Sequence, residues 1–303
     1  MKKIIIGFNL LIGLAVSAQE VDTTAAKKDT VWSITGKNTL NLNQAAFSNW
    51  VSGGDNNIGW IAGVDYDITY QKGKDLWENL IVLGYGQNDT KSLGKRKTQD
   101  VINISTNYGR EIAKNWYASA GVGFISQFTK GYEYDENNNA KKISNFMAPG
   151  YLSVGAGFTY RPNDNFTLTL RPANARWTFV LDKDLQVAGN YGLKNDGDSS
   201  LFQFGFLANA EYKLKIMENI ELQNRASVFS NYLDHPERLV LTYTGILNMK
   251  VNRFISANIT LDLLYDHNQI TRTQLKQTLG VGFAYTLERG KKKVDEKRHR
   301  AWK

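Results

Sequence analysis

The amino-acid sequence predicts an all-β fold: a closed antiparallel up-and-down transmembrane β-barrel of about twelve strands. Twelve segments alternate between apolar and polar residues with a period of two, which places successive side chains on opposite faces of a strand. Their apolar faces are bulky and aromatic, whereas their polar faces are small or charged, which is the inverse of a soluble barrel. The links between the segments are alternately short and long, as in barrels of the bacterial outer membrane.

The first eighteen residues have the features of a secretory signal peptide. Two lysines precede a mostly apolar stretch from Ile4 to Val16, which is too short to span a membrane. Small residues follow that stretch and predict cleavage before Gln19. We therefore predict a signal peptide over residues 1–18 and an N-terminal linker over residues 19–30, followed by the barrel over residues 31–287.

The strand pattern is clearest between Ile58 and Gln71, where Trp60 and Val64 share one face and Asp65 and Asp67 share the other. A soluble sandwich would also alternate, so the repetition decides the fold class, and twelve is an even number, as single-chain bacterial barrels require. The predicted strands are, in order, 31–44, 58–71, 76–87, 99–112, 116–129, 152–161, 165–172, 202–214, 219–232, 239–251, 255–266 and 276–287.

Two segments fit this scheme poorly. Residues 76–87 have apolar residues in both phases, so the sequence does not show which face points outward. Pro172 interrupts the seventh strand, and it predicts a β-bulge or an exit from the sheet because proline cannot donate a ladder hydrogen bond. Apolar character resumes at Trp177, so residues 173–198 could form a strand extension, a lumenal plug or a folded outer loop.

The lengths of the links predict the orientation in the membrane. Outer-membrane barrels have short periplasmic turns and longer loops outside the cell, so both ends of this barrel are expected to face the periplasm. Aromatic residues flank the short turns and predict a belt at the periplasmic interface, because an aromatic ring combines an apolar body with a polar edge. The residues of this predicted belt are Tyr70, Trp77, Trp116, Tyr160, Phe166 and Tyr212, and those predicted for an outer belt are Tyr151, Tyr232, Tyr243 and Tyr265.

The net charge of the chain is concentrated outside the predicted barrel. The chain has 37 lysines and arginines against 29 aspartates and glutamates, and a run of basic residues occupies the segment 288–303. We predict that this segment is a solvated periplasmic tail, or one that contacts an anionic cell-wall component. The barrel segment itself is nearly neutral and has no basic face, which argues against a nucleic-acid partner.

Several charged side chains fall on the polar phase of the strands and are predicted to face the lumen. They could line a pore or hold a closed interior together, and the sequence leaves both readings open. Two of them, Lys213 and Glu221, flank a short turn and are expected to lie opposite each other. The lumen-facing candidates are Asp65, Asp67, Arg161, Arg171, Lys213, Glu221, Arg225, Asp262 and Lys276.

Few residues of the chain suggest catalysis or cofactor binding. The pairs Asp234-His235 and Asp266-His267 fall in neighbouring outer loops, where we expect solvated side chains rather than a transition-metal site. A serine hydrolase needs a nucleophile beside a base, but the strand phase of Ser230, which lies near His235, points it at lipid. We therefore predict no catalytic residue, no cofactor and no metal.

Three Gly-x-Gly-Phe repeats begin at Gly121, Gly155 and Gly280. They lie within strands and open no helix, so they lack the context of a nucleotide-binding loop. We expect that these glycines leave room for larger side chains in the lumen and allow the strands to bend.

Several short motifs occur together in this chain: Asn49-Trp50 with Gly53-Gly54, Lys74 with Trp77-Glu78-Asn79, Trp116-Tyr117, Phe146-Met147-Ala148-Pro149 with Tyr151-Leu152, and Tyr265-Asp266. As a set, over about residues 30–287, they resemble a family of outer-membrane barrels from Bacteroidota that is catalogued as a domain of unknown function. The resemblance implies a barrel in the outer membrane and brings no activity or catalytic residue. The chain departs from it at residues 170–176, where a Pro-x-x-Gly-Lys-like turn is expected and Arg171-Pro172-Ala173-Asn174-Ala175-Arg176 stands instead.

The sequence therefore predicts a protein of the cell outer membrane whose partner is the lipid bilayer. Twelve strands enclose more space than a filled eight-stranded core and less than a porin channel. We expect a non-enzymatic pore or transporter with small solutes in its lumen. The alternatives are a structural or accessory barrel that binds a partner through its outer loops, and an outer-membrane hydrolase.

Overall fold

The structure is a computed structural model that describes residues 31–46, 55–252 and 254–290. The predicted signal peptide and linker, the motif Asn49-Trp50 with Gly53-Gly54, and the basic tail beyond residue 290 lie outside the described residues. No helix in these described ranges is long and apolar enough to cross a membrane.

Twelve antiparallel strands form a closed barrel in which the last strand pairs with the first. This architecture confirms the predicted fold class and the predicted number of strands. Two further short strands, β6 and β7, pair only with each other. In chain order the strands are β1 (Trp32–Ala45), β2 (Asn57–Lys72), β3 (Asp75–Thr90), β4 (Gly94–Ala113), β5 (Trp116–Ser126), β6 (Gly131–Tyr134), β7 (Ala140–Ser144), β8 (Gly150–Asn163), β9 (Phe166–Phe179), β10 (Ser200–Met217), β11 (Ile220–Asn231), β12 (Val240–Lys250), β13 (Ile255–Asp266) and β14 (Ile270–Arg289).

The links at one end of the barrel are tight turns. Gly73 and Asn115 lie in the links from β2 to β3 and from β4 to β5, with positive φ angles of 58° and 64°. A left-handed backbone suits a two-residue hairpin, because its twist matches that of the strands, and glycine and asparagine adopt it most readily. Four of the six links at the other end are longer, whereas 91–93 and 267–269 have three residues each, so the long links predicted near 88–98 and 267–272 are short. Two of the long links carry secondary structure: the hairpin β6–β7, and two 3-10 helices at Lys183–Leu185 and Asn190–Gly192.

Two sets of aromatic rings flank the barrel wall. Near the tight turns, the ring centroids of Trp32 and Tyr70 are 5.0 Å apart, and those of Trp116 and Tyr160 are 4.8 Å apart. Towards the long loops, Trp60 lies 5.8 Å from Tyr85. Trp60 and Tyr70 are ten residues apart on β2. At ~3.3 Å per residue and a tilt of ~40°, this separation is about 25 Å, the height of the apolar band of a membrane barrel.

Large apolar side chains between these rings face away from the barrel interior. Leu279 is 69 % exposed and Phe283 is 59 % exposed, and even Trp60 and Phe204 are each 37 % exposed rather than packed in a common core. An apolar outer surface between two aromatic belts is the exterior of a barrel that lies in a membrane. The inverted facing predicted from the sequence is therefore present.

Strand β9 continues through Pro172 and ends at Phe179. The registers with β8 and β10 both shift beside Pro172, which is the signature of a β-bulge. The bulge changes the phase of the strand: Arg171 is buried before it, and Asn174 is buried after it. Of the three possibilities for residues 173–198, the first part is a strand extension and the part after Phe179 is a folded outer loop.

Candidate functional site

An ion pair spans the barrel interior. The Nζ atom of Lys213 on β10 lies 2.7 Å from Oδ2 of Asp67 on β2. In the closed ring of twelve strands, β2 and β10 are six strands apart in either direction, so they stand on opposite walls. The contact therefore reaches across the full width of the lumen.

A second contact joins the same two walls. Arg225 on β11 donates through Nη1 and Nη2 to the carboxylate of Asp65 on β2, at 3.1 and 3.3 Å. Two parallel hydrogen bonds from one guanidinium fix the geometry of both side chains. Glu211 lies directly opposite Arg225 in the sheet, and its Oε1 is 3.5 Å from Nε of Arg225 and 3.3 Å from Nζ of Lys213.

Lys37 completes the set on β1. It lies directly opposite Asp65 in the register of β1 and β2, and its Nζ donates to Oδ1 of Asn248 at 2.6 Å. We call Lys37, Asp65, Asp67, Glu211, Lys213 and Arg225 the central belt. The central belt holds three positive and three negative side chains, so its formal charge is zero.

The side chains of the central belt are not fully buried. The exposed fractions of its paired side chains lie between 18 % for Arg225 and 29 % for Glu211. These pairs are less screened than ion pairs on a protein surface, yet they are not sealed in a dry core. The lumen at this level is thus narrow enough to be bridged by two side chains and still leaves room for water beside them.

A smaller charged group lies nearer the tight turns. Nη1 of Arg161 lies 3.3 Å from Oε1 of Glu78, and its Nη2 donates to Asp164 at 3.0 Å. Glu78 is not among the residues predicted to face the lumen, because apolar residues occur in both phases of β3 and left the direction of its side chain undefined. Strict alternation from its buried neighbour Leu76 would have indicated it.

A third group lies towards the long loops and includes an aromatic residue that faces inward. The guanidinium of Arg176 lies 4.7 Å from the ring centre of Tyr151 and 5.1 Å from that of Phe229. Gln269 donates to the hydroxyl of Tyr151 at 3.0 Å. The prediction that Tyr151 belongs to the outer aromatic belt is therefore wrong, since alternation along β8 places it in phase with the inward Ser153.

Arg171 is buried, with 5 % of its surface exposed, and its Nη2 donates to Oδ1 of Asn107 at 3.1 Å. Glycines provide the space for this side chain. A Cβ atom on Gly121 would lie 2.2 Å from Nη2 of Arg171, and one on Gly155 would lie 3.0 Å from its Cδ. The prediction that inward glycines make room for larger lumenal side chains is confirmed at these two positions.

The other lumen-facing candidates lie on β11, β13 and β14. Asp262 accepts a hydrogen bond from Thr244 at 2.8 Å and stands opposite Lys276 in the register, and Lys276 donates to Gln99 across the interior. The expected pairing of Lys213 with Glu221 is wrong. The register places Lys213 opposite Gln223, and Lys215 opposite Glu221, beside an irregularity at the end of β10.

The histidine of the β11–β12 loop has partners other than a nucleophile. Nδ1 of His235 lies 2.9 Å from Oε1 of Glu237. The hydroxyl of Ser230 donates to the carbonyl of Pro236 at 2.7 Å, so it is not directed at an imidazole. Asp234, Asp266 and His267 line one small depression, but no group of three or more potential ligands in the described part of the chain is arranged to hold a metal ion.

The long loops after β5 and β9 pack together. Ala148, Val180, Leu185 and Leu193 form a small buried cluster, with Tyr191 packed against it. We call the loop segments 127–149 and 180–199 together the outer cap. The backbone N–H of Leu181 donates to the carbonyl of Met147 at 2.8 Å, which joins the two segments directly.

A family described as a protein of unknown function, DUF3078, matches residues 42–132. This match agrees with the resemblance to a domain of unknown function. No curated protein sequence matches the chain.

Among solved structures, the chain is similar to an outer membrane channel from Pseudomonas putida F1, with 12 % identity, a TM-score of 0.38, and coverage of 89 % of this chain and 100 % of that one. It is also similar to the translocator domain of the autotransporter NalP from Neisseria meningitidis, with 10 % identity, a TM-score of 0.37, and coverage of 85 % of this chain and 89 % of that one. The chain is similar to the NanC porin as well, with 10 % identity, a TM-score of 0.35, and coverage of 83 % of this chain and 98 % of that one.

Proposed function

We propose that the protein is a pore of the outer membrane that passes small hydrophilic solutes. The observation that carries this proposal is the central belt: charged groups in the lumen that keep part of their surface accessible, inside a barrel whose exterior is apolar. A hydrated interior within an apolar exterior is the arrangement that lets polar molecules cross a bilayer.

The central belt is also expected to contribute little to the stability of the folded barrel. Ion pairs that are partly withdrawn from water gain little net free energy, because the loss of hydration offsets the attraction between the charges. A barrel that served only as a scaffold could fill its interior with apolar side chains instead. The partial exposure of Asp65, Asp67 and Lys213 thus favours a path for solutes.

The proposed location follows from the same features together with the predicted signal peptide. Closed antiparallel barrels with short turns at one end and longer loops at the other are typical of the bacterial outer membrane. In that orientation the tight turn at Gly73 faces the periplasm, and the outer cap faces the exterior. The lipid bilayer is then the partner of the apolar belt between the aromatic rings.

Conductance in planar lipid bilayers tests the proposed pore. Addition of the refolded full-length protein should produce discrete current steps in potassium chloride. Protein unfolded by heating before addition is the control and should give none. If the folded protein inserts into liposomes but neither conducts ions nor releases a trapped solute, the pore is excluded.

The outer cap favours a second candidate, an accessory barrel that binds a partner through its outer loops. The cap is folded around its own apolar cluster and displays Phe146, Leu181 and Val187, each more than half exposed. Deletion of residues 183–198 would separate the two functions. A pore should keep its conductance after the deletion, whereas an accessory barrel should lose a partner captured from the cell surface.

A further inference from the structure

We propose that the central belt selects solutes that carry one positive and one negative charge, that is, small zwitterions. This inference rests on the proposed pore function and names the class of solute. It is carried by the way the central belt divides its charges between opposite walls.

The acidic wall is β2. Asp65 and Asp67 are two residues apart on this strand and therefore share its inward face. The basic wall stands opposite, where Lys213 on β10 and Arg225 on β11 reach these carboxylates at 2.7 and 3.1 Å. Lys37 on β1 offsets one carboxylate of the acidic wall, and Glu211 on β10 offsets one cation of the basic wall. The acidic wall thus keeps a net charge of −1 and the basic wall a net charge of +1, which together produce an electric field directed across the lumen.

A solute that passes this level must displace the contacts that bridge the lumen. The displaced Asp67 and Lys213 are only about one quarter exposed, so water compensates each of them incompletely. A neutral solute leaves Asp67 and Lys213 without their partner from the opposite wall, and only Lys213 keeps a close carboxylate, that of Glu211 at 3.3 Å. A simple cation can compensate only the carboxylate, and a simple anion only the ammonium group.

A zwitterion compensates both groups at the same time. Its cationic end can replace Lys213 beside Asp67, and its anionic end can replace Asp67 beside Lys213. The solute then lies across the lumen with its dipole along the field. At the narrow level Asp67 and Lys213 each keep an opposite charge beside them, as they do in the resting state, which is why this class should pass fastest.

Glu211 prevents the basic wall from retaining the solute. Its carboxylate lies 3.3 Å from Nζ of Lys213 and 3.5 Å from Nε of Arg225, and it accepts a hydrogen bond from Gln223 at 2.7 Å. The basic side chains thus keep a partner on their own wall while they face the solute. Passage requires binding that is weak enough for release, and a resident carboxylate provides this.

Fluxes into proteoliposomes test the selectivity. The full-length protein is reconstituted, and entry of four labelled solutes of similar size is measured: glycine betaine (zwitterion), choline (cation), glycolate (anion) and erythritol (neutral). We expect glycine betaine to enter on the order of tenfold faster than each of the other three.

Two variants assign the preference to the central belt. The double substitution Asp67→Asn with Lys213→Gln should abolish the preference, because it removes both charges and keeps the shapes. The exchange Asp67→Lys with Lys213→Asp should keep it, since opposite charges still face each other. The matched control is Glu133→Gln with Lys141→Gln, an exposed opposite-charge pair in the hairpin β6–β7, which should behave as the wild type.

The outcomes separate this inference from the proposed function. Equal entry of all four solutes into wild-type proteoliposomes would overturn the selectivity and leave the pore standing. A preference that survives the neutral double substitution would overturn the role of the central belt. Absence of both conductance and solute entry in the wild type would remove the pore itself and the selectivity with it.

Discussion

The ammonium group of Lys142 lies between two carboxylates of another loop. Its Nζ is 2.7 Å from Oδ1 of Asp182 and 2.5 Å from Oδ2 of Asp184, and Asn145 also donates to Asp182, at 2.7 Å. These contacts fasten the two segments of the outer cap to each other.

The link between Lys142 and Asp182 should respond to pH only at its extremes. The hydrogen bond from Lys142 lowers the pKa of Asp182 below its ordinary value of 3.8, and the bonds to Asp182 and Asp184 raise the pKa of Lys142 above 10.5. Asp182 thus contributes fully above its ordinary pKa, and the contribution is lost as the pH falls through the lowered value. Lys142 contributes fully below 10.5, and its contribution is lost as the pH rises through the raised value.

Spin labels can measure this response, because the chain contains no cysteine. Labels at Phe146→Cys and Val187→Cys, two exposed positions of the outer cap, should keep a constant separation between about pH 5 and pH 9 and move apart only in stronger acid or base. Lys142→Met should broaden the distribution of distances already at neutral pH. A transition near pH 6 in the wild type would contradict the assignment.

A double-mutant cycle should show that Asp65 and Arg225 are energetically coupled. Arg225→Gln leaves Asp65 without its guanidinium partner, so it should destabilise the barrel more in the wild type than in the Asp65→Asn background. We expect a coupling free energy of about 1–2 kcal/mol, measured by urea unfolding in lipid vesicles. A coupling near zero would show that water already compensates both groups.

Two glycines of the barrel should respond differently to alanine. A Cβ atom on Gly157 would lie 2.0 Å from the carbonyl oxygen of Leu170 and 2.9 Å from Cα of Arg171, which are backbone atoms of the bulge and cannot swing aside. On Gly123 the nearest atom would be Cβ of Ser105 at 3.9 Å. Gly157→Ala should therefore lower the free energy of unfolding by about 1–3 kcal/mol, whereas Gly123→Ala should change it by less than about 0.5 kcal/mol. Equal effects would refute the steric explanation.

Contact between the exterior and lipid can be tested with lysine. Val122 lies six residues beyond the aromatic ring of Trp116, near the middle of the apolar band, and is 39 % exposed. Val122→Lys should destabilise the barrel in lipid by about 2–4 kcal/mol. Val251, in the tight link between β12 and β13, is 66 % exposed, and its replacement by lysine should cost no more than about 1 kcal/mol. Similar small effects at both positions would indicate that water, and not lipid, surrounds the barrel.

Alternation and link length were sufficient to predict the architecture of the barrel. The twelve strands, the tight turns and all six residues of the belt near those turns follow from patterns that are local in sequence, such as the aromatic pair Trp116 and Tyr160. The hairpin β6–β7 was not predicted, because strands of four and five residues in a polar link give too few alternations. Tyr151 was placed on the wrong face because residue type was given more weight than phase.

The contacts within the central belt could not be predicted from local sequence patterns. Phase alone indicated that Asp67 and Lys213 share the interior, but 146 residues separate them, and their contact depends on the closure of the ring. Lys37 and Glu211 were not singled out, although both lie on polar faces of their strands. The register of β10 and β11 depends on an irregularity between Lys215 and Met217, so counting from the turn paired Lys213 with the wrong residue.

The junction between β1 and β14 has a consequence for biogenesis. Eight residue pairs, from Ile34 with Arg289 to Asn41 with Gly282, join these two strands, whereas sixteen join β2 and β3. The other junctions connect strands that follow one another along the polypeptide, except that the hairpin β6–β7 lies between the paired strands β5 and β8. The junction of β1 with β14 instead unites positions more than two hundred residues apart. Because bringing such distant segments together costs the most chain entropy, we expect the hydrogen bonds between β1 and β14 to form last during insertion. Because its ladder is short, we also expect β1 and β14 to be the first strands to separate under mechanical force or in denaturant.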